Sequence, residues 1–211
     1  YKKLALFAIL IIFALIPASL VLLFAFFLFL AAFALENELA EKEEKSVLLP
    51  WFIFIPVFVL SLGILYLFGK NWLGDYYFRK SLIAYSQNNG SETYNWQIKA
   101  LSQVPYQTSY HLSYAQTNFA LANAIAANPP KEGLSEQDRQ NISTLIQQAI
   151  REAKTAVALN PNNVVTWENL AGIYRNLINF AQDAEKWTIS AYQQAITLDP
   201  LNPNLRIALG G

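Results

Sequence analysis

Two long runs without charge constrain this chain more than any other feature. No charged residue occurs from Leu4 to Leu35, and none from Ser46 to Gly69. A helix needs roughly 20 apolar residues to cross a bilayer core. Both runs meet that length, so the sequence predicts two transmembrane helices, about 4–35 and 47–69, joined by an acidic link at 36–46. The first run is 32 residues long, which exceeds a signal-peptide core of about 7–15 residues. As a straight helix it would reach about 48 Å, so tilt and a kink at Pro17 are expected to absorb the excess. Trp51 at one end of the second run, and Tyr66, Trp72, Tyr76 and Tyr77 at the other, fit an aromatic belt. The link carries Glu36, Glu38, Glu41, Glu43 and Glu44 but no His or calcium-type loop, so it reads as solvated helix ends rather than a metal site.

Beyond about Asp75 the character changes. The remainder is rich in Ala, Leu, Gln and aromatic residues at helical spacing, with poor strand signals. Breaks fall at Gln87–Gly90, Val104–Pro105, Asn128–Pro130, Asn160–Asn163 and Asp199–Pro203. Ser135 with Asp138 reads as an acidic capping box opening a helix. After Lys80 there are eight basic and nine acidic residues, evenly mixed, and the whole chain is formally neutral. No nucleic-acid partner is expected from that balance. Cys is absent, which excludes disulfides, thiolate chemistry and Cys-ligated zinc. The chain opens on Tyr1 and stops at Gly211 inside a repeat unit, as expected of an internal portion of a longer protein.

The repeat appears when the sequence is aligned on three prolines. Ala100–Pro105, Ala156–Pro161 and Ala195–Pro200 each place Ala five residues before Pro, followed by a large aliphatic. After Pro161 come Trp167, Leu170, Ala171 and Tyr174, and Tyr192 precedes Ala195. This pattern resembles the tetratricopeptide repeat, a helical hairpin that stacks into a solenoid. The resemblance implies a repeat domain over 74–211, with units at about 74–107, 108–163 and 164–202 and a truncated fourth from 203. The fold class is therefore all-α: two transmembrane helices in a membrane domain at 1–73, then a tetratricopeptide-like helical-hairpin solenoid. The 108–163 unit is about 22 residues over the usual 34, so lengthened helices and an exposed loop are expected there. The third unit has about five extra residues near Phe180–Glu185. The first unit is degenerate, with Tyr77 and Ser81 in the Trp and Gly places, and its first helix is expected to run on from the second span.

Catalytic signatures do not appear. His111 is the lone histidine, stands in the Trp place, and has no Asp or Glu near it in sequence, so it reads as a packing residue rather than a general base. There is no phosphate loop and no nucleophile elbow. No cofactor is expected, and an enzymatic role is left open. Asn89 and Asn141 head triplets of the glycosylation type, a pattern that chance supplies often. By repeat position, Tyr85, Gln116, Phe119, Glu168, Arg175 and Asn176 would line a groove formed by the first helices of the units. That surface suits a peptide or a sugar chain; the alternative is a plain solvated face. The Lys/Asn set with which some tetratricopeptide proteins clamp a terminal carboxylate is missing.

Two spans, then Gly74–Lys80, then divergent repeats carrying Trp167–Leu177, are also similar to the C-terminal part of bacterial membrane proteins related to O-antigen ligases and polymerases. None of that family's glycan-transfer residues maps onto this chain. The leading expectation is a membrane-anchored repeat scaffold, in contact with membrane lipid, that binds a protein or peptide partner. The alternative is the tail of a polytopic glycan ligase or polymerase with its chemistry upstream. Both place the chain in a bacterial cytoplasmic membrane. Lys and Arg on the outer flanks slightly outnumber those of the link, a margin too small to fix the side of the repeat domain.

Overall fold

The computed structural model describes residues 48–127, 129, 133–178 and 180–210, with side chains from 55 onward except 57. The expected first span and the acidic link lie outside these residues. Contacts divide the chain between Phe58 and Val59. The first unit contributes residues 48–58 of the opening helix, and the second, Val59–Gly211, holds the rest.

The described residues form seven helices: α1 Leu48–Ser86, α2 Gly90–Gln103, α3 Thr108–Ala127, α4 Glu136–Leu159, α5 Val164–Arg175, α6 Ala184–Leu198 and α7 Pro203–Gly210. Among the described residues no helix is long and apolar enough to cross a membrane. The two expected transmembrane helices are therefore not seen as such. Residues 4–35 are not described, and α1 is one 39-residue helix that runs from the second apolar stretch into polar sequence from Lys70 onward. The run-on from the second apolar stretch into the first repeat helix is present as expected, since α1 continues unbroken through Tyr77 and Ser81.

From α2 onward each helix packs on its neighbours in sequence, α2 on α3, α3 on α4, and so on to α7, and the first helices α3 and α5 also touch directly. This is the nearest-neighbour stacking of a solenoid. The alanines chosen by the alignment explain the close approach. Ala100, Ala156 and Ala195 are fully buried, as are Ala115 and Ala171 and, in the degenerate unit, Ser81. A large side chain at any of them would hold the helices apart. Between hairpins the filling is larger: Leu170, Ile173, Tyr174 and Leu177 close over Ala115, Ala149 and Ala153, and Leu205 packs with Tyr192 and Ala195.

The 108–163 unit has helices of 20 and 24 residues. Its connection exposes Pro129, Gly133 and Ser135. Ser135 Oγ accepts from Asp138 N at 3.0 Å, while Asp138 Oδ2 accepts from Ser135 N at 3.3 Å. These two bonds are the capping box the sequence indicated. In the third unit the extra residues form turns between α5 and α6, ending on Asp183 at φ 60°. Asp183 gives α6 no side-chain cap.

The part of α1 from Asn71 to Phe78 is braced against the α2–α3 turn. Tyr106 donates to Asn71 Oδ1 at 2.8 Å, Tyr110 donates to Asp75, and Phe78 stacks on Tyr110 at 4.4 Å. Gly74 lets the turn come this close: a Cβ there would meet Val104 Cγ2 at 2.4 Å. Gly74→Ala is expected to destabilise the solenoid by about 1–3 kcal/mol through overpacking. Thermal melting followed by circular dichroism checks it, and an unchanged midpoint would refute the close approach.

Candidate functional site

Each hairpin must join the next at a fixed angle, and three X–Pro turns set it. Val104, Asn160 and Asp199, the residues before Pro105, Pro161 and Pro200, adopt nearly the same backbone: φ −131°, −143° and −135°, with ψ 74°, 74° and 79°. Proline excludes the helical region for its predecessor, so each helix stops there. The N–H of each of these residues still donates to the alanine four residues earlier, Ala100, Ala156 or Ala195.

The carbonyl of each proline is then taken by the side chain six residues on. His111 Nε2 lies 2.8 Å from Pro105 O. Trp167 Nε1 donates to Pro161 O at 2.7 Å. Arg206 donates to Pro200 O at 2.8 Å. Three different side chains thus perform one task, and the Trp place of the repeat is a donor position. Asn163 and Asn202 complete two of the turns by accepting from Val165 N and Asn204 N at 2.9 and 3.1 Å.

His111 does something the other two cannot. Its Nδ1 lies 2.7 Å from Glu152 Oε2, on α4, 41 positions away. Arg151 Nε and Nη2 donate to the other oxygen, Glu152 Oε1, at 3.1 and 3.0 Å. Because Nε2 must carry a proton to serve Pro105, a neutral ring would point a lone pair at a carboxylate. The geometry requires the imidazolium. Burial by itself lowers the His111 pKa, but the Glu152 hydrogen bond, the Pro105 carbonyl and the Glu152 charge together raise it above 6.5. The His111 bond is the chief cause that holds Glu152 below 4.5; burial opposes it, and Arg151 helps. Nearby, burial and then Asp75 push the Tyr110 phenol well up, so it stays a donor.

His111 is therefore a packing residue, as the sequence indicated, but one with a buried ionic partner that sequence distance hid. Glu152 is buried among Ala149, Ala153 and Ala156. A carboxylate on the alanine stripe of an amphipathic helix was the available signal. The pair ties α3, the α2–α3 turn and α4 together.

The expected groove residues are placed as follows. Tyr85 is exposed at the end of α1, Gln116 is exposed on α3, and Glu168 and Arg175 are exposed on α5. Asn176 is exposed as the C-cap of α5, and its Nδ2 is engaged with Gly172 O at 2.8 Å. Phe119 is half-buried against the cluster that includes Leu170 and Tyr174. Its ring is therefore part of the packing between hairpins. Contact between α3 and α5 brings Gln116 and Phe119 onto the helix beside that of Glu168 and Arg175. Among the described residues neither Glu168 nor Arg175 forms an ion pair. Asn118 is fully buried with its Nδ2 on Tyr114 O at 2.7 Å and its Oδ1 unpaired.

Repeated turns, buried alanines and neighbour-to-neighbour packing define an all-α solenoid of tetratricopeptide-like hairpins. No family model matches the chain, and no curated protein matches it. Among solved structures it is similar to the TPR domain of Arabidopsis OM64, with 15% identity, 67% of this chain and 94% of that chain covered, and a TM-score of 0.49. It is also similar to the first TPR of Spaghetti (RPAP3), which is bound to an HSP90 peptide, at 15% identity, 66% and 92% coverage, and a TM-score of 0.49. A third likeness is a thermophilic TPR protein of Thermus thermophilus, at 17% identity, 65% and 62% coverage, and a TM-score of 0.48.

Two outcomes follow from the turns. Trp167→Phe keeps the ring but loses the donor to Pro161, and should cost about 1 kcal/mol in a denaturation experiment. The His111–Glu152 pair sets a pH window. The raised His111 pKa contributes stability that is fully present below 6.5 and is lost as pH rises through the folded value. The lowered Glu152 pKa contributes stability present above 4.5 and lost as pH falls through its folded value. Melting temperature against pH should therefore fall on the alkaline side of 6.5, and His111→Gln should flatten that limb. An alkaline limb unchanged in the variant would refute the imidazolium.

Proposed function

We propose that this chain is a membrane-anchored helical-repeat scaffold that holds a protein or peptide partner on the surface formed by its first helices. The observation that carries this reading is the continuity of α1. Val59, Leu60, Leu62, Ile64, Leu65, Leu67 and Phe68 are all exposed large apolar side chains. Water does not favour so many on one helix, and successive positions leave no polar face. Together with the uncharged run at 4–35, they support lipid as the surroundings of the N-terminal part. The same helix then becomes the first helix of the repeat domain without a break.

The partner surface follows from what the solenoid leaves unused. Glu168 and Arg175 are exposed, without an ion pair among the described residues, on a helix that touches α3, and Gln116 adds an exposed amide. Opposite charges with an amide and the edge of Phe119 suit a peptide carrying both polar and apolar side chains. A bacterial cytoplasmic membrane is the setting proposed.

The full chain, expressed with a photo-crosslinking amino acid at Gln116, tests both halves. It should remain with membranes after alkaline carbonate washing. It should yield a discrete adduct that the same label at Trp187, on α6, does not give. Exchanging the charges with Glu168→Lys and Arg175→Glu should reduce the adduct at least fivefold. Release by carbonate would reject the anchor; equal labelling from Gln116 and Trp187 would reject the groove.

A further inference from the structure

Aromatic rings and two ammonium groups converge where α1 and α2 pair. Tyr77 stacks on Trp96 across the two helices, with centroids 5.7 Å apart. Trp72 stacks on Tyr76 one turn apart along α1, at 6.0 Å. Lys80 Nζ lies 5.1 Å from the Tyr76 centroid and 4.6 Å from that of Trp96. Lys99 Nζ, on α2, lies 4.3 Å from the same indole. Both cations gain from the ring face. Sharing one ring holds them no more than about 9 Å apart, where like charges repel.

Among the described residues no direct ion pair neutralises them. Glu92 lines the same cleft, a volume of about 160 Å³ shared with Lys80 and Trp96. Its oxygens, however, accept from Trp96 Nε1 at 3.1 Å and Asn89 Nδ2 at 3.0 Å. Among the described residues neither ammonium has a carboxylate within ion-pair distance. Two cations held together, Lys80 half-buried and Lys99 exposed, outnumber the single Glu92 carboxylate of the cleft and fit a ligand that supplies further negative charge.

Position along α1 decides which ligand. Gly69 is the last residue of the uncharged run, and Tyr76 lies seven residues on, a rise of about 10 Å. The Lys80 side chain reaches back one turn over Tyr76, toward the apolar stretch. Helix α2 returns in the same direction, since Val104 just past its end packs beside Gly74. Lys99 is therefore carried back with it. A headgroup layer extends about 5–8 Å beyond the hydrocarbon, and the Debye length in physiological salt is about 8 Å. Both ammonium groups fall within electrostatic reach of that layer. Trp72 is 70% exposed and Tyr76 is 42% exposed, as residues of an interfacial belt are.

We propose that the face formed by Trp72, Tyr76, Lys80, Trp96 and Lys99 docks on the phosphate layer of an anionic phospholipid bilayer. The two lysines are drawn to headgroup phosphates, and the rings sit at the interface. This rests on the apolar stretch of α1 lying in lipid, as proposed above. An acidic segment of a soluble protein could also meet two lysines, but only a bilayer accounts for the cluster's continuity with the apolar helix.

The test places the full chain in bilayers of phosphatidylcholine alone, or with 30% phosphatidylglycerol, each carrying a nitroxide quencher at the headgroup. The emission of Trp96 is taken as the difference between the wild type and Trp96→Phe. Quenching should be at least twofold stronger in the anionic bilayer. It should fall to the neutral-lipid level in Lys80→Gln/Lys99→Gln and in 0.5 M salt, and return with Lys80→Arg/Lys99→Arg. A spin label at Ser102, exposed near the end of α2, reads the same approach without altering the cluster, should Trp96→Phe fail to fold. Quenching that ignores lipid charge overturns the proposal. So does a Trp96 response to soluble polyglutamate with none to lipid. Carbonate release of the chain would overturn the anchor and this docking together; a chain that stays inserted but shows no charge dependence overturns the docking alone.

Discussion

The carbonyl of the proline between hairpins is the point on which the solenoid turns. It follows a residue whose N–H has closed back on the buried alanine. A side chain donor six residues later occupies it in three successive units, by imidazole, indole and guanidinium. One bond of this kind contributes only about 1 kcal/mol. Its importance is geometric. It pins the first turn of each new helix to the end of the old one, so the buried alanines meet their neighbours in register. With the angle fixed, Leu170, Tyr174 and Leu205 fill the same kind of space at each interface.

The use of histidine at one of these junctions changes its physics. Trp167 is a neutral donor, and its junction is indifferent to pH. His111 can serve Pro105 with one nitrogen only while the other faces a donor-seeking carboxylate, so the junction is held by a charged ring between a carbonyl and Glu152. Arg151 occupies the second carboxylate oxygen and keeps the acid ionised. A buried ion pair of this sort contributes less than its short distances imply, because desolvation opposes it. Removing one partner leaves the other stranded, which is the larger effect. The longest unit of the chain, with helices of 20 and 24 residues, carries this cross-link.

Much of the architecture could be read from sequence because the signals were local. The Ala-to-Pro spacing marked the buried alanines and the junctions, the Ser135–Asp138 pair marked the start of α4, and the surplus residues in two units marked a loop and an extended turn. The first two depend on residues within about six positions of one another, and the third on unit length along the chain. What could not be read was long-range. Glu152 meets His111 from 41 positions away, and Asp75 meets Tyr110 from 35. Of the residues assigned to a groove by repeat position, Gln116, Glu168 and Arg175 are exposed, while Phe119 is shared with the core, because large residues at unit boundaries are drawn into the packing between hairpins. The two apolar runs were plain in composition; what they face depends on their surroundings, which composition does not supply.

The bracing of α1 gives the proposed anchor a consequence that a tethered domain would lack. A flexible linker lets a domain sample a volume that grows with its length, and the effective concentration of anything it carries falls accordingly. Here no linker intervenes between the apolar part of α1 and the first hairpin. Asn71, Gly74, Asp75 and Phe78, within about three turns of Gly69, are each in contact with the α2–α3 region. Within the second unit, the Val59–Gly69 part of α1 is thus tied to the α2–α3 region through packed contacts. That brace contains Pro105, Tyr106, Tyr110 and His111, so the pH-sensitive pair lies within it.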